Sequence, residues 1–148
     1  MRRLLALLVV VAALGVSAAR AADKPPYLAG RLLVAAESLL DPNFSHTVVY
    51  MVEHDAGGAV GLIVNRALGA GKLAHLLKGF GLDAPDDGRE IRVHFGGPVA
   101  AGNVYILHSP DFTGAGTLKA EGGLSMTADK SILEALAAGG GPARMKVM

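Results

Sequence analysis

Two apolar runs on either side of a glycine turn make the most definite pattern in the chain. Thr47–Val52 and Val60–Val64 are rich in β-branched and aromatic side chains, which is typical of buried strands. Between them lies Asp55–Gly58, where glycine can adopt positive φ and aspartate can bond to nearby backbone. The pattern therefore predicts a tight β-hairpin at the centre of the fold.

Shorter apolar segments predict further strands on both sides of this hairpin. One of them alternates strictly between apolar and polar residues, which places Arg92 and His94 on the face opposite its apolar side chains. The last of them alternates like the start of a strand. The segments are Arg31–Ala36, Ile91–Phe95, Val104–Leu107 and Ala143–Met148.

Two segments have a helical period instead. The first stripe consists of Leu73, Leu76, Leu77 and Phe80, at positions i, i+3, i+4 and i+7. A second helix is expected to begin at Thr127, whose hydroxyl can cap it, and to end near Ala138. Between the predicted strand Val104–Leu107 and this second helix, the glycine-rich segment Asp111–Gly123 is expected to be a long surface connection.

The N-terminus has the pattern of a secretory signal peptide. Arg2 and Arg3 precede the apolar segment Leu4–Val16, and the small residues of Ala19–Ala21 resemble a cleavage site. The apolar run is shorter than the roughly 20 residues that a membrane span needs, and a buried N-terminal helix is the alternative. We expect residues 1–21 to be removed, leaving residues 22–148 as one domain, periplasmic or secreted and without a membrane anchor.

Charge and cysteine content exclude several classes of function. The chain has 14 basic and 13 acidic residues. Removing Arg2, Arg3 and Arg20 with the signal peptide leaves more acidic than basic residues, so no basic surface for nucleic acid is expected. The chain has no cysteine, which excludes disulfides, thiolate metal sites and thiol nucleophiles.

Polar residues at the ends of predicted strands are the candidates for chemistry. His54 lies at the mouth of the hairpin, Asn65 and Arg66 at its exit, and His108 at the end of a later strand. Glu53 cannot orient His54 as an acid–base pair, because neighbouring residues on a strand point to opposite faces. We favour the interpretation that these side chains bond to nearby backbone, as polar residues beside glycine turns commonly do.

Metal and phosphate sites lack the required spacing. The five histidines show neither an i, i+4 pair nor an H-x-H pattern, so no metal is expected. The segment Gly69–Lys72 is not a phosphate-binding loop, because Arg66 replaces the first glycine and Leu73 replaces the Ser or Thr that binds Mg²⁺. No cofactor is expected either.

Several motifs in fixed order resemble the YqgE/AlgH family between about Leu28 and Val147. They are RLLVAA, DPNF, HTVVYMVEHDAGGAVGLIVNR, FGGPV, ILHS and GLSMTAD. The resemblance implies an α+β fold with a mixed, mostly antiparallel β-sheet, curled into a barrel-like unit with flanking helices.

The chain departs from the family pattern in two places. Ala67 stands where the family usually has proline. The family also continues beyond the position of Val147 through an aromatic and glycine-rich segment, so we interpret the chain as a C-terminally truncated member. We expect the last strand to leave an open edge, and therefore either marginal stability or a homodimer formed through that edge.

Two functions remain open from the sequence. The favoured one is a non-enzymatic accessory or regulatory protein of the bacterial envelope that binds another protein through the loop containing Gly96 and Gly97. The alternative is a small hydrolase or ligand-binding protein whose cleft contains His54, Asn65, Arg66 and His108. The alternative requires these four side chains to converge in one pocket.

Overall fold

The computed structural model describes residues 27–100 and 102–148. The predicted signal peptide, residues 1–21, lies outside the described residues. The described part forms two sheets and two helices, whose elements in chain order are β1 (Leu32–Val34), β2 (Val48–Asp55), β3 (Gly58–Ile63), β4 (Ala67–Lys72), α1 (Leu73–Gly79), β5 (Glu90–His94), β6 (Ile106–His108), β7 (Thr117–Ala120), β8 (Leu124–Thr127), α2 (Lys130–Ala137) and β9 (Met145–Val147).

The predicted central hairpin is present and forms most of the small sheet. This sheet has three antiparallel strands in the order β1-β2-β3, and its hairpin turn is closed by a bond of 2.6 Å from the Gly57 N–H to the Asp55 carboxylate. The register shifts between Met51 and Glu53, which marks a β-bulge.

The large sheet has six strands in the order β4-β5-β9-β6-β8-β7. Only the β5–β9 pair is parallel, and the other pairs are antiparallel. The predicted α+β class with a mostly antiparallel sheet is therefore confirmed. Within the described residues the two sheets are open, so the predicted barrel-like closure is not confirmed.

The prediction of an open edge at the last strand is wrong. β9 lies inside the large sheet, parallel to β5 on one side and antiparallel to β6 on the other. Its position follows from its side chains, because Val147 is only 2% exposed and packs in the core between strands distant in sequence. The edges of the large sheet are β4 and β7 instead.

The structure differs from the sequence predictions at three further places. β4 was missed because Ala67–Lys72 is rich in glycine and fully exposed, so it has no apolar pattern. The expected surface connection Asp111–Gly123 contains β7. Thr127 is a buried residue of β8 rather than a helix cap, and Asp129 caps α2 by accepting a bond of 2.8 Å from the Ser131 N–H.

The core consists of two apolar clusters on opposite faces of the large sheet. One face packs against α1 and α2, and its buried residues are Leu73, Leu77, Ile91, Ile106, Ile132, Leu133, Leu136 and Val147. The second cluster lies between the two sheets, and its buried residues are Tyr50, Val52, Leu62, Leu107, Ala120, Met126 and Met148.

The small sheet covers only part of that second face. One row across the large sheet runs Ala70, Arg92, Lys146, Leu107, Met126, because each is the cross-strand neighbour of the next. Leu107 and Met126 are buried under the small sheet, whereas Ala70 and Arg92 are exposed. We call β6, β8 and β7 the covered half of this face, and β4, β5 and β9 the open half.

Candidate functional site

A groove of about 480 Å³ opens where the small sheet meets β4 and β5. Its walls are β3, the end of β5 and the loop Gly96–Val99. Among the described residues that line it, none is a carboxylate, Lys or Arg. Its rim carries large exposed apolar side chains, since Leu68 is 67% exposed and Val99 is 84% exposed. We call this cavity the groove.

Gly96 and Gly97 lie in the wall of the groove, and the fold requires glycine at both positions. The Gly96 carbonyl accepts a bond of 2.8 Å from the Ile63 N–H, which joins the two sheets. A Cβ at Gly96 would approach the Cβ of Met148 to 2.8 Å. Gly97 has φ of 145°, in the region that favours glycine.

The edge strand β3 presents open backbone to the groove. Ile63 directs its N–H away from β2 to Gly96, whereas Val64 bonds back to Val48. Backbone direction alternates along a strand, so the N–H and C=O of Gly61, two residues before Ile63, also point away from β2. Gly61 is exposed and lines the groove, which therefore has a strand edge beside its apolar walls.

His54 fixes the chain that enters the small sheet. Its Nδ1 accepts a hydrogen bond of 3.0 Å from the Leu28 N–H, and its ring packs edge-on against Tyr27 with 5.6 Å between the ring centroids. Both contacts hold the segment that leads into β1. The imidazole thus serves the backbone at a position outside the groove.

Asn65 and Arg66 hold the bend that leads into β2. The Asn65 side chain accepts from the Val48 N–H at 2.8 Å and donates to the His46 carbonyl at 2.9 Å. Arg66 donates to three carbonyls of the Pro42–Ser45 bend at 3.3 to 3.4 Å. Its guanidinium also lies 5.5 Å from the centre of the Phe95 ring, a cation–π distance.

His108 is the centre of a buried polar network. Its Nδ1 lies 2.8 Å from the Ser109 carbonyl, so it carries the proton, and Nε2 then accepts from the Thr127 hydroxyl at 2.9 Å. Thr127 in turn bonds to the Thr117 hydroxyl at 2.7 Å, and Thr117 accepts from the Gly114 N–H at 3.0 Å. Each group has a partner, as burial requires.

A second polar link lies next to this network, where β6 ends. The Ser109 hydroxyl donates to the Asp111 carboxylate, and this bond is the main reason why the pKa of Asp111 is lowered. The same carboxylate accepts from the Ala143 N–H at 2.8 Å. The link holds the segment that leads into β9.

The structure does not bring the four predicted side chains into one pocket. His54, Asn65, Arg66 and His108 each bond to nearby backbone or buried hydroxyls, and within the described residues no hydrogen bond joins any two of them. None of them lines the groove, whereas Gly96 and Gly97 do.

Sequence reasoning missed the groove residues Gly61, Leu68 and Val99. Leu68 and Val99 are single apolar residues among glycine, alanine and proline, without a helical or strand period. The signal that could have found Leu68 and Val99 is that both are large apolar residues in segments with no other core pattern.

The described residues contain neither a cluster of metal ligands nor a membrane-spanning helix. In residues 27–100 and 102–148, no three His, Asp or Glu side chains lie close enough together to hold a metal ion. Neither α1 nor α2 has the length and apolar character that a membrane crossing requires.

Comparison with known proteins gives a consistent match over most of the chain. The family model described as AlgH-like matches residues 32–148. A UPF0301 protein of Methylococcus capsulatus is 45% identical over 119 residues, which are 80% of this chain and 65% of that protein. A UPF0301 protein of Cereibacter sphaeroides is 42% identical over 116 residues, 78% of this chain and 63% of that protein.

A solved structure has a similar fold. The solution structure of the AlgH protein from Pseudomonas aeruginosa aligns with a TM-score of 0.65 at 35% identity, covering 84% of this chain and 66% of that one. The chain thus spans less than two thirds of the length of each of these three proteins.

Proposed function

The chain belongs to the AlgH-like family, and on that premise we propose that it is a non-enzymatic accessory or regulatory protein of the bacterial envelope that binds another protein. The groove beside Gly96 and Gly97 is the observation that carries this proposal. Its described lining contains no carboxylate, Lys or Arg, and its one histidine, His94, is hydrogen-bonded to the Val147 carbonyl and to Lys146. Function therefore rests on recognition rather than on chemistry.

The partner segment that fits the groove is extended and apolar. Apolar side chains can bury themselves against Leu68 and Val99, which the chain leaves exposed. The N–H and C=O of Gly61 can at the same time bond to the backbone of an added strand. Backbone bonds would supply affinity, and the apolar walls would select the side chains.

The predicted signal peptide supports placement in the envelope. Its three parts, a basic start, an apolar segment and a small-residue cleavage site, occur in the required order within residues 1–21. The chain also contains no cysteine, so the oxidising environment of the periplasm would have no thiol to modify.

Peptide selection tests the binding surface directly. The mature chain, residues 22–148, is used to select from a displayed library of random peptides, and we expect it to enrich extended apolar sequences. Val99→Asp should weaken their binding by roughly tenfold or more, because a carboxylate would be buried without a partner. Leu40→Asp is the matched control, since Leu40 is 89% exposed and lies outside the groove.

The same selection can contradict the proposal. If the library yields no apolar peptide, or if Val99→Asp and Leu40→Asp bind the selected peptides as well as the wild type, the groove is not a docking site. Circular dichroism of both variants controls for folding, and each substitution is at an exposed position that should leave the fold intact.

Export is tested separately. The full chain with a C-terminal tag is expressed in a Gram-negative host, and the tagged product should leave the cell with the osmotic-shock fraction. N-terminal sequencing should then begin at Ala22. A product that stays in the cytoplasm with residues 1–21 attached would remove the envelope part of the proposal without affecting the groove.

A further inference from the structure

A second cavity, also about 480 Å³, lies on the open half of the large sheet. Arg92 and His94 project into it from β5 and Lys146 projects from β9, which is possible because β9 lies parallel to β5 with Val147 beside Val93. The small residue Ala70 on β4 leaves space next to Arg92. Three basic side chains from two strands thus meet at one opening.

His94 holds the ammonium group of Lys146 in place. His94 is 7% exposed, and its Nδ1 lies 3.3 Å from the Val147 carbonyl, the acceptor that assigns the ring proton to Nδ1. Its Nε2 is then an acceptor, and Lys146 Nζ donates to it at 2.8 Å. One N–H of the ammonium is used in this way, and two have no partner among the described residues and remain for a ligand. His94 also lines the groove and separates the two cavities.

The positive charge at this opening is not neutralised within the described residues. Neither Arg92 nor Lys146 takes part in any of the ion pairs formed among the described residues. Glu90 is the one acidic side chain among the described residues that line the cavity, and its cross-strand neighbour is Lys72 rather than Lys146. Burial lowers the pKa of Lys146, and the charge of Arg92 lowers it further, so the ammonium group would gain from a nearby anion.

We propose that Arg92 and Lys146 bind the oxyanion of a small molecule, a phosphate or a carboxylate group, with His94 as the positioning residue for Lys146. A guanidinium and an ammonium on adjacent strands can each donate charge-assisted bonds to one such group. The site shares His94 with the partner-binding groove, but its ligand-binding groups Arg92 and Lys146 lie outside the groove, so the proposal does not depend on the proposed function.

The test uses the full mature chain and two probes, inorganic phosphate and acetate. Each is titrated while amide shifts are followed by NMR, and the amides of Val93 and Val147 should move in a saturable way. Lys146→Met and Arg92→Met should each weaken binding by roughly tenfold or more, because each removes a charge-assisted bond. Lys119→Met is the matched control, since Lys119 is an exposed residue of β7, and it should bind like the wild type.

Glu90 provides a variant with the opposite effect. Glu90→Gln removes the one negative charge that faces the site from the described residues, so it should tighten phosphate binding while retaining side-chain size. A general weakening by misfolding cannot produce this result. Tighter binding of phosphate than of acetate would assign the site to phosphorylated molecules, and the reverse order would assign it to carboxylates.

The proposal is overturned by either of two results. The first is that neither phosphate nor acetate shifts the amide signals of Val93 and Val147 in a saturable way. The second is that the Lys146→Met, Arg92→Met and Lys119→Met variants all bind the probes equally. Because Arg92 is exposed, its variant keeps the test valid even where Lys146→Met fails to fold.

Discussion

The two halves of one face of the large sheet differ in what covers them. On the covered half, Leu107 and Met126 are buried against Tyr50 and other residues of the small sheet. On the open half, the same row of the sheet continues as Lys146 and then Arg92. One strand boundary thus separates apolar residues buried between the sheets from basic residues that the small sheet leaves uncovered, and alternation along each strand does not reveal where that boundary lies.

The largest effect is expected in the covered half. Leu107→Ala removes a side chain that is only 7% exposed and leaves a cavity between the sheets, which should lower the free energy of unfolding by about 2 to 5 kcal/mol. Denaturant unfolding followed by circular dichroism measures the change. A loss below about 1 kcal/mol would show that the two sheets do not pack as a common core.

A smaller effect is expected from the polar contact between the sheets. The Tyr50 hydroxyl donates to the Glu121 carbonyl at 2.8 Å, and burial raises the pKa of this phenol. Tyr50→Phe removes the bond and should cost about 1 kcal/mol of unfolding free energy. Tyr27→Phe is the control, because Tyr27 is 41% exposed and makes no such contact between sheets. Equal stability of the two variants would contradict the assignment.

The open half should tolerate substitution. Arg92→Met changes an exposed side chain with no ion pair among the described residues, so stability should change by at most about 0.5 kcal/mol. The same denaturant experiment measures it. A loss comparable to that of Leu107→Ala would mean that the open half also stabilises the fold, and the distinction between the halves would fail.

The smallest effect is a pH dependence at Lys146. Burial lowers its pKa below the ordinary value of 10.5, so the folded protein binds fewer protons there than the unfolded chain does. The free energy of unfolding should therefore rise with pH between the lowered pKa and 10.5, and Lys146→Met should remove this contribution. As pH increases, the denaturant midpoint of the wild type should rise relative to that of Lys146→Met. The control Lys119→Met should keep the pH dependence of the wild type. Parallel curves would contradict the prediction.

The central hairpin, the helical stripes and the α+β class could be predicted because their signals are local. In α1 the buried residues Leu73 and Leu77 follow the expected period. β4 could not be predicted, since its exposed edge position imposes no apolar pattern. β9 was recognised as a strand, but its neighbours were not, because its pairing with β5 and β6 is determined by packing between distant segments.

Contacts between distant segments also limited what the sequence could predict about the groove and the basic cavity. The sequence indicated Gly96 and Gly97 as a binding surface, and both line the groove. It also placed Arg92 and His94 on one side of β5, but it made no prediction about Lys146, which reaches His94 only through the parallel pairing of β9. His94 consequently became 7% exposed, although its place on the polar side of an alternating strand predicted exposure.

The position of β9 also has a consequence for when the protein can fold. The β4–β5 pair and the β6–β8–β7 group are not joined to each other directly, and β9 connects them. Since a ribosome produces the chain from its N-terminus, both groups emerge before the strand that unites them, and the large sheet cannot be completed until synthesis has passed Val147. The two groups of strands can each pair locally before that point, but the cooperative unit that contains both forms only once β9 has been made.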